Sequence, residues 1–316
     1  MKHSTRSLAR RFAVLLGLAL GGVLLGGCKK NVLSSRTEDD ARLMIPVPIC
    51  VKRLPRASTP GAVVSLTPEE YWSLLLPSYD VGARTVDPTA LDCSGRQSLA
   101  RLSPPDTKRI RVDPEKIVLA AGADGMKLVW LESHPLSEGV FEGLMAIIRQ
   151  RESYMEVYAV GIHRGLPGGT RFTLQRMGPR LVVEAVQETC NGQGGDRRCN
   201  SSTSVYLMTT GALRHAANFP IEQVARTPGG DDYGPVEYRF TASAEYRDTS
   251  IDLTEHLSVT AQGQGETRSS DLQRALRLEG GQLLASGESL WTKTQRELGL
   301  RPREAGSAEP QRKRRR

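Results

Sequence analysis

The chain has 316 residues, of which 39% are hydrophobic, and a formal net charge of +8. This length suits one large β domain or two smaller ones. The positive charge lies at the two ends: residues 1–27 carry four basic side chains and no acid, and residues 301–316 carry seven basic and two acidic side chains. The body between them is nearly neutral. This argues against nucleic acid as a partner, because binding it needs clustered positive charge on the fold.

The N-terminus is typical of an exported protein. Four basic side chains lie between residues 2 and 11, and an apolar run of 14 residues follows at 12–25. That run is shorter than the roughly 20 residues that cross a bilayer as a helix, and it fits the apolar region of a secretory signal peptide. It ends in Leu25-Gly26-Gly27-Cys28.

These four residues resemble the lipobox of bacterial lipoproteins with a type II signal peptide. The resemblance implies cleavage between Gly27 and Cys28, lipid on the Cys28 thiol and acylation of the new amino group, which together hold the protein on a membrane. Related signal peptides place aspartate after the cysteine for inner-membrane retention. Lys29 therefore favours the outer membrane, at its periplasmic or its surface face. The alternative is an ordinary signal peptide with a chance cysteine.

The segments after the lipobox predict a tether, an edge strand and a short helix. The polar residues from 29 to about 43 are interpreted as a tether between the lipid and the domain. Residues 43–51 contain Pro46 and Pro48, which cannot donate to a β ladder, so they predict an edge strand or an extended arm. Thr67 as N-cap, Pro68 at the first helical position and two following glutamates predict a helix that Pro77 ends.

From about residue 116 the hydrophobic period changes to two, which predicts strands. The clearest is 236–246, where six apolar residues alternate with polar ones and predict one dry face and one wet face. Its partner is expected at 251–259, and Gly280-Gly281 predicts a hairpin turn. Residues 286–298 fit either a strand or a helix. The remaining predicted strands are 118–121, 126–131, 140–148, 154–162, 170–176, 181–189 and 205–209.

The predicted fold class is mainly β: an antiparallel meander of ten to twelve strands that forms a barrel or a sandwich, with one or two short helices. The domain organisation follows the chain. Residues 1–27 form the signal peptide, 28–43 the lipidated tether, 44–300 the β-rich domain and 301–316 a basic, disordered tail. A subdivision near 110–115 is an alternative. The mature domain resembles only the uncharacterised lipoproteins of Gram-negative bacteria.

Five cysteines fit an exported protein. Cys28 is assigned to lipid, and the even remainder indicates disulfides. Four cysteines allow three pairings, of which we favour Cys50–Cys93 and Cys190–Cys199. A metal site competes with this interpretation. The chain has neither a CxxC motif nor a histidine close to a cysteine, so we predict no metal and no cofactor.

The four histidines after the signal peptide, His134, His163, His215 and His256, sit in no catalytic motif, and each is expected at a surface or in a loop. We therefore name no catalytic residue. A triad that combines Ser133 or Ser137 with a histidine and an aspartate stays open. Two glycine-rich segments could bind ions. Residues 192–196 are interpreted as a flexible disulfide loop tip rather than as a calcium or phosphate loop, and residues 229–233 as a turn rather than as a calcium site.

Three functions follow. The first is a non-catalytic envelope lipoprotein that contacts other envelope components, most directly an envelope protein. The second is a hydrolase of envelope polymers whose site is invisible in the sequence. The third is a binder of anionic lipid or glycan through the tail residues Arg312, Lys313, Arg314, Arg315 and Arg316, each worth about 1 kcal/mol near an anionic surface. The tail also fits a solvated segment without a role.

Overall fold

The computed structural model describes residues 47–55, 64–97, 108–122, 125–136, 139–191, 198–228, 234–261 and 267–299. Its elements are, in chain order, β1 Cys50–Arg53, α1 Pro68–Leu75, β2 Thr85–Val86, β3 Ile110–Arg111, β4 Ile117–Ala121, β5 Met126–Pro135, β6 Phe141–Gln150, β7 Tyr154–Gly165, β8 Thr170–Met177, β9 Arg180–Asn191, β10 Arg198–Thr209, β11 Ala212–Thr227, β12 Val236–Tyr246, β13 Ser250–Ala261, β14 Thr267–Glu279, β15 Gln282–Ala285 and α2 Leu290–Glu297. No helix in these ranges is both long and apolar enough to span a membrane.

The predicted helix α1 begins at its predicted cap. The Thr67 hydroxyl accepts the Glu70 amide at 3.3 Å, and the Glu70 carboxylate accepts the Thr67 amide at 2.7 Å. This reciprocal capping box satisfies two amide groups that the first helical turn leaves open. The helix buries Tyr71, Trp72 and Leu75. The Trp72 indole donates to the Pro114 carbonyl at 3.2 Å, which fixes α1 to the segment before β4.

Two layers of antiparallel strands make the centre of the fold. One layer holds β4, β5, β6 and β7 in sequence order, and the other holds β8, β9, β10 and β11. The layers join at one edge through a parallel pairing of Val160 on β7 with Ala212 on β11. No pairing between β4 and β8 joins them at the other edge of the described sheet. Of the two predicted arrangements, this is the sandwich.

Three apolar cores follow from this layering. The first lies between α1 with its neighbouring loops and the outer face of β5–β7. The second fills the space between the two layers and includes Trp130, Phe172 and Tyr206. The third lies on the outer face of β9–β11, where β13, β14 and β15 cover it. β5–β7 therefore bury both faces, which matches their nearly continuous apolar sequences.

The longest strand, β11, was not predicted. It pairs with β10 over Ala212–Glu222 and with β12 over Glu222–Thr227, so it joins the sandwich to the last four strands. Ala216 and Ile221 have no partner on β10 and form bulges there. Each bulge shifts the side-chain alternation by one residue, and Pro220 breaks it further. The strand therefore has no period of two in its sequence.

The last strands form a meander, β12 to β15. The observed β12 has the bounds predicted from its alternation, and it pairs with β13 over its whole length. Gly280 and Gly281 have φ of 58° and 84° and form the predicted turn between β14 and β15, where positive φ at both positions favours glycine. Residues 286–298, which fitted either a strand or a helix, contain the helix α2, and Ser289 is its N-cap.

Candidate functional site

Some residues selected from the sequence lie outside the described part of the chain. These are Gly27 and Cys28 of the lipobox, the basic tail residues Arg312–Arg316 as a group, and both glycine-rich segments. The signal peptide, the tether and the tail therefore stay predictions.

Both favoured disulfides are present. Cys50 bonds to Cys93 across a Cα–Cα distance of 6.1 Å and ties β1 to the loop at 92–97. Cys190 bonds to Cys199, its direct cross-strand partner on β9 and β10, with the Cα atoms 4.0 Å apart. Glu188 lies beside the second pair, so three potential metal-ligand atoms come within 4.8 Å of one another. Because both sulfurs belong to the disulfide, this group offers no thiolate to a metal.

The two disulfides should differ in their effect on stability. They span 43 and 9 residues of sequence, and loop-closure entropy grows with that span. We expect the double replacement Cys50→Ser/Cys93→Ser to lower the free energy of unfolding by about 4 kcal/mol, and Cys190→Ser/Cys199→Ser by about 2.5 kcal/mol. Urea denaturation of both variants measures this order. A larger loss for the second pair would contradict the entropic explanation.

The structure corrects one expectation about the histidines. His163 is completely buried, although the sequence placed it at a surface or in a loop. Of the others, His134 is half-buried, and His215 and His256 are exposed. His163 lies between the two layers, with ring centroids 4.9 Å from Trp130, 5.0 Å from Phe172 and 5.6 Å from Tyr206. It is therefore a core residue in an aromatic cage.

The cage fixes the protonation of His163. Its Nδ1 lies 2.8 Å from the Tyr206 hydroxyl. Burial, assisted by the charge of His215, lowers the pKa of His163 to about 3. Burial also raises the pKa of the Tyr206 phenol. Both groups are therefore neutral at physiological pH, and one proton lies between them in a hydrogen bond.

A glycine makes room for the imidazole. A Cβ atom on Gly165 would lie 2.5 Å from His163 Nε2 and 2.6 Å from Thr170 Oγ1. The same face of β7 carries Ala159, Gly161, His163 and Gly165, so small residues flank the histidine at every second position. That pattern is the sequence signal that would have identified His163 as buried.

Gly165→Ala is accordingly expected to destabilise the fold by about 1–3 kcal/mol, because the added methyl group overlaps the caged ring. Gly287→Ala is a matched control, since a Cβ there meets no atom within 4 Å. Thermal unfolding of the two variants measures the difference. Equal stabilities would show that the imidazole moves aside without cost.

His163 belongs to a buried polar row that crosses β5, β6 and β7. Glu132, Gly143 and His163 are cross-strand partners, and His134, Glu142 and Arg164 form the next set. Burial raises the pKa of Glu132, although the charge of Lys116 partly offsets this. Burial also raises the pKa of Glu142, although its hydrogen bond to Arg164 and the charge of that residue partly offset this. Glu142 Oε1 lies 3.1 Å from Arg164 Nε. Such shifted groups often mark functional sites.

The buried members of the row are closed to substrates. Glu132, Ser133, Glu142 and His163 are each at most 4% exposed. The Ser133 hydroxyl, a candidate nucleophile in the sequence, donates to the Glu142 carbonyl at 3.0 Å. Ser137 lies outside the described residues. The four buried groups therefore act as polar elements of the core, whereas two other members of the row reach solvent: the Arg164 side chain is 55% exposed and His134 is half-buried.

The accessible polar surface lies on β12, β13 and β14. We call it the wet face; its exposed members include Thr241, Ser243, Thr254, His256, Asp271 and Gln273. Ion pairs order its charged side chains. Glu237 lies 2.7 Å from Arg226 and 3.3 Å from Arg239, and His256 Nδ1 lies 2.7 Å from Asp271. The hydrogen bond from Arg226 is the main cause of the lowered pKa of Glu237.

The opposite, dry face of the same strands is covered at its centre by α2. Phe240 is fully buried, with its ring centroid 6.0 Å from that of Trp291. Glu255 also points to this face, where its carboxylate lies 2.5 Å from Arg274 Nε and accepts the Leu290 amide at 2.8 Å. Glu255 thus joins β13 to β14 and to the first residue of α2. This role of Glu255 was not predicted, because the alternation of the strand indicates an apolar residue at that position.

Comparisons of the chain with protein-family models, with curated proteins and with solved structures found no match.

Proposed function

We propose that the protein is a non-catalytic envelope lipoprotein. Lipid on Cys28 holds it on the membrane, most favourably the outer one, and its disulfide-stapled β domain contacts another envelope component. An envelope protein is the partner we favour. The lipobox supports the anchor, and the two disulfides fit an oxidising compartment.

The wet face is the observation that carries the proposal. It spans three neighbouring strands of 11 to 13 residues, which hold exposed hydroxyl, amide and charged groups at fixed spacing. Its ion pairs restrict the side chains before a partner arrives, which reduces the entropy lost on binding. Within the polar row, in contrast, Glu132, Ser133, Glu142 and His163 are buried and offer no group to an external substrate. These two features together favour contact over catalysis.

Site-specific photo-crosslinking in cells tests the contact. A photoreactive residue replaces Ser243 or Thr254, which face each other on β12 and β13. The matched controls replace Val81 and Leu119, exposed positions away from the wet face. We expect one specific protein adduct from both wet-face positions and none from the controls. Absence of an adduct, or equal adducts from all four positions, would contradict the proposal.

The same experiment on a chain truncated after Leu300 separates the wet face from the tail. Retention of the adduct is expected. Loss of the adduct would show that the tail makes the contact, and it would support binding of anionic lipid or glycan by the tail.

Membrane fractionation tests the anchor. Cys28→Ser should move the protein to the soluble fraction, because acyl chains provide the binding energy. The wild-type chain treated in parallel is the control. A variant that stays on the membrane, with or without the tail, would show that the Cys28 lipid is not the anchor.

A further inference from the structure

One side of β14 has no strand beside it along most of its length. β13 pairs with β14 over residues 267–277 without a shift in register, whereas β15 pairs with it only over 276–279. The Ser286 amide extends the second pairing by one residue, because it donates to the Ala275 carbonyl at 2.8 Å. In the described part of the chain, no strand pairs with residues 267–274 on the side of β15.

Two hydrogen bonds show which backbone groups of β14 lie on this open edge. The Leu278 amide donates to the Thr249 carbonyl, just before β13, so the even-numbered residues of β14 point their amide and carbonyl groups to β13. The Ala275 carbonyl accepts from the opposite side, so the odd-numbered residues point away from β13. The outward residues beyond the reach of β15 are Thr267, Ser269, Asp271 and Gln273. All four are exposed, and such an edge can pair with another strand.

Two copies of this edge can pair completely in one antiparallel register. The open edge begins at Thr267, the first residue of β14, and ends at Gln273, because Ala275 is already bonded. When Thr267 of one copy lies opposite Gln273 of the other, all four outward residues have a partner, and each pair exchanges two hydrogen bonds. A two-fold axis then passes between the Ser270 residues of the two copies. A shift by two residues, the smallest that keeps outward groups opposite one another, leaves some of them without a partner.

The side chains are compatible with the same register. Asp271 lies opposite Ser269, and Arg268 lies opposite Leu272, so no two like charges face each other directly. A shift by two residues in one direction would place Asp271 opposite itself and Arg268 opposite Arg274. Like charges in direct opposition destabilise a strand pair. The charged residues therefore favour the register that also completes the backbone hydrogen bonds.

We propose that β14 is a dimerisation edge, at which a second copy of this chain adds its own β14. The two-fold axis is perpendicular to the joined sheet, so the wet faces of both copies lie on the same side. Lipid on Cys28, as proposed above, confines the copies to one membrane and raises their effective concentration. The dimer depends on the edge of β14 and not on the partner of the wet face. Its failure would therefore leave the wet-face contact standing.

Cysteine cross-linking in cells tests the dimer on the full-length chain. Ser270 is exposed, and it faces its own copy in a pair without hydrogen bonds, at a Cα–Cα distance of about 4.5 Å that a disulfide spans. Ser270→Cys should therefore give a dimer on a non-reducing gel. Ser269→Cys is the matched control and should give none, because the two Ser269 residues are diagonal neighbours about 7–8 Å apart. Absence of the Ser270→Cys dimer, or an equal or stronger dimer from Ser269→Cys, would overturn the proposal.

The mass of the purified full-length protein in detergent provides a second test, by analytical ultracentrifugation at increasing protein concentration. Ser270→Lys places two ammonium groups opposite each other, so it should halve the mass that wild type reaches. Ser153→Lys changes an exposed serine in the bend between β6 and β7, and it should dimerise like wild type. A wild-type protein that stays monomeric, or a dimer that Ser270→Lys does not weaken, would overturn the proposal.

Discussion

Glu255→Ala is expected to lower the free energy of unfolding by about 3–5 kcal/mol. The Glu255 side chain has no exposed surface, and Arg274 is 8% exposed. Removing the carboxylate leaves the guanidinium buried without its partner and takes the acceptor from the Leu290 amide at the start of α2. The stability is lost mainly because the buried Arg274 charge is left without a partner. The loss of the cap on α2 adds to it.

Urea denaturation followed by circular dichroism measures this loss. Glu245→Ala is the matched control, because Glu245 pairs with Arg247 at 2.7 Å on the surface, with both side chains more than half exposed. Exposed pairs contribute about 0–1 kcal/mol. The double variant Glu255→Met/Arg274→Met should regain much of the stability, since it removes both charges. Equal losses for Glu255→Ala and Glu245→Ala would show that the buried pair contributes no more than a surface pair.

Acid should destabilise the protein through His163. Its pKa is about 3 in the folded protein and near 6.5 in the unfolded chain. Below pH 6.5 the unfolded chain binds a proton that the folded protein does not. The contribution of His163 to stability is therefore complete above pH 6.5 and is lost as the pH falls toward 3. The slope is roughly 1.4 kcal/mol per pH unit, so about 2.7 kcal/mol is lost by pH 4.5.

Urea denaturation between pH 7.5 and 4.5 measures that slope. His163→Phe keeps a ring in the aromatic cage and removes the titration, so its stability should depend less steeply on pH than that of wild type. Glu132 and Glu142 act with the opposite sign, because their raised pKa values favour the folded protein in acid. Parallel curves for wild type and His163→Phe would contradict the burial of a neutral imidazole.

The elements with regular local patterns were predictable from the sequence. Thr67 and Glu70 lie three residues apart, and that spacing is enough for a capping box whatever the surrounding fold. Residues 236–246 alternate without interruption because β12 pairs with β13 without a bulge. The pairing of Cys190 with Cys199 follows from a short loop between two strands. In each case the interacting groups are close in sequence.

The missed features depend on contacts between distant segments. The bulges at Ala216 and Ile221 exist because β11 must follow β10 and then join β12. His163 is buried because β5, β8 and β10 place Trp130, Phe172 and Tyr206 around it. Glu255 sits at an apolar position of its strand because Arg274 and α2, which follow it in the chain, provide its partners. The sequence near Glu255 and near the two bulges contains no record of these neighbours, and the sequence near His163 contains only the flanking small residues.

The position of the Cys50–Cys93 bond determines how the domain carries a mechanical load. Cys50 is the first residue of β1, and among the described residues β1 pairs only with β7. With lipid on Cys28 as proposed, tension from the membrane first reaches the strand pairing at Ile49, whose amide donates to the Val157 carbonyl at 2.7 Å, and then at Cys50. The disulfide passes that tension directly to Cys93, so the hydrogen bonds of β1 do not bear it alone. In the reduced protein the same pull would peel β1 from β7, starting with the Ile49–Val157 hydrogen bond.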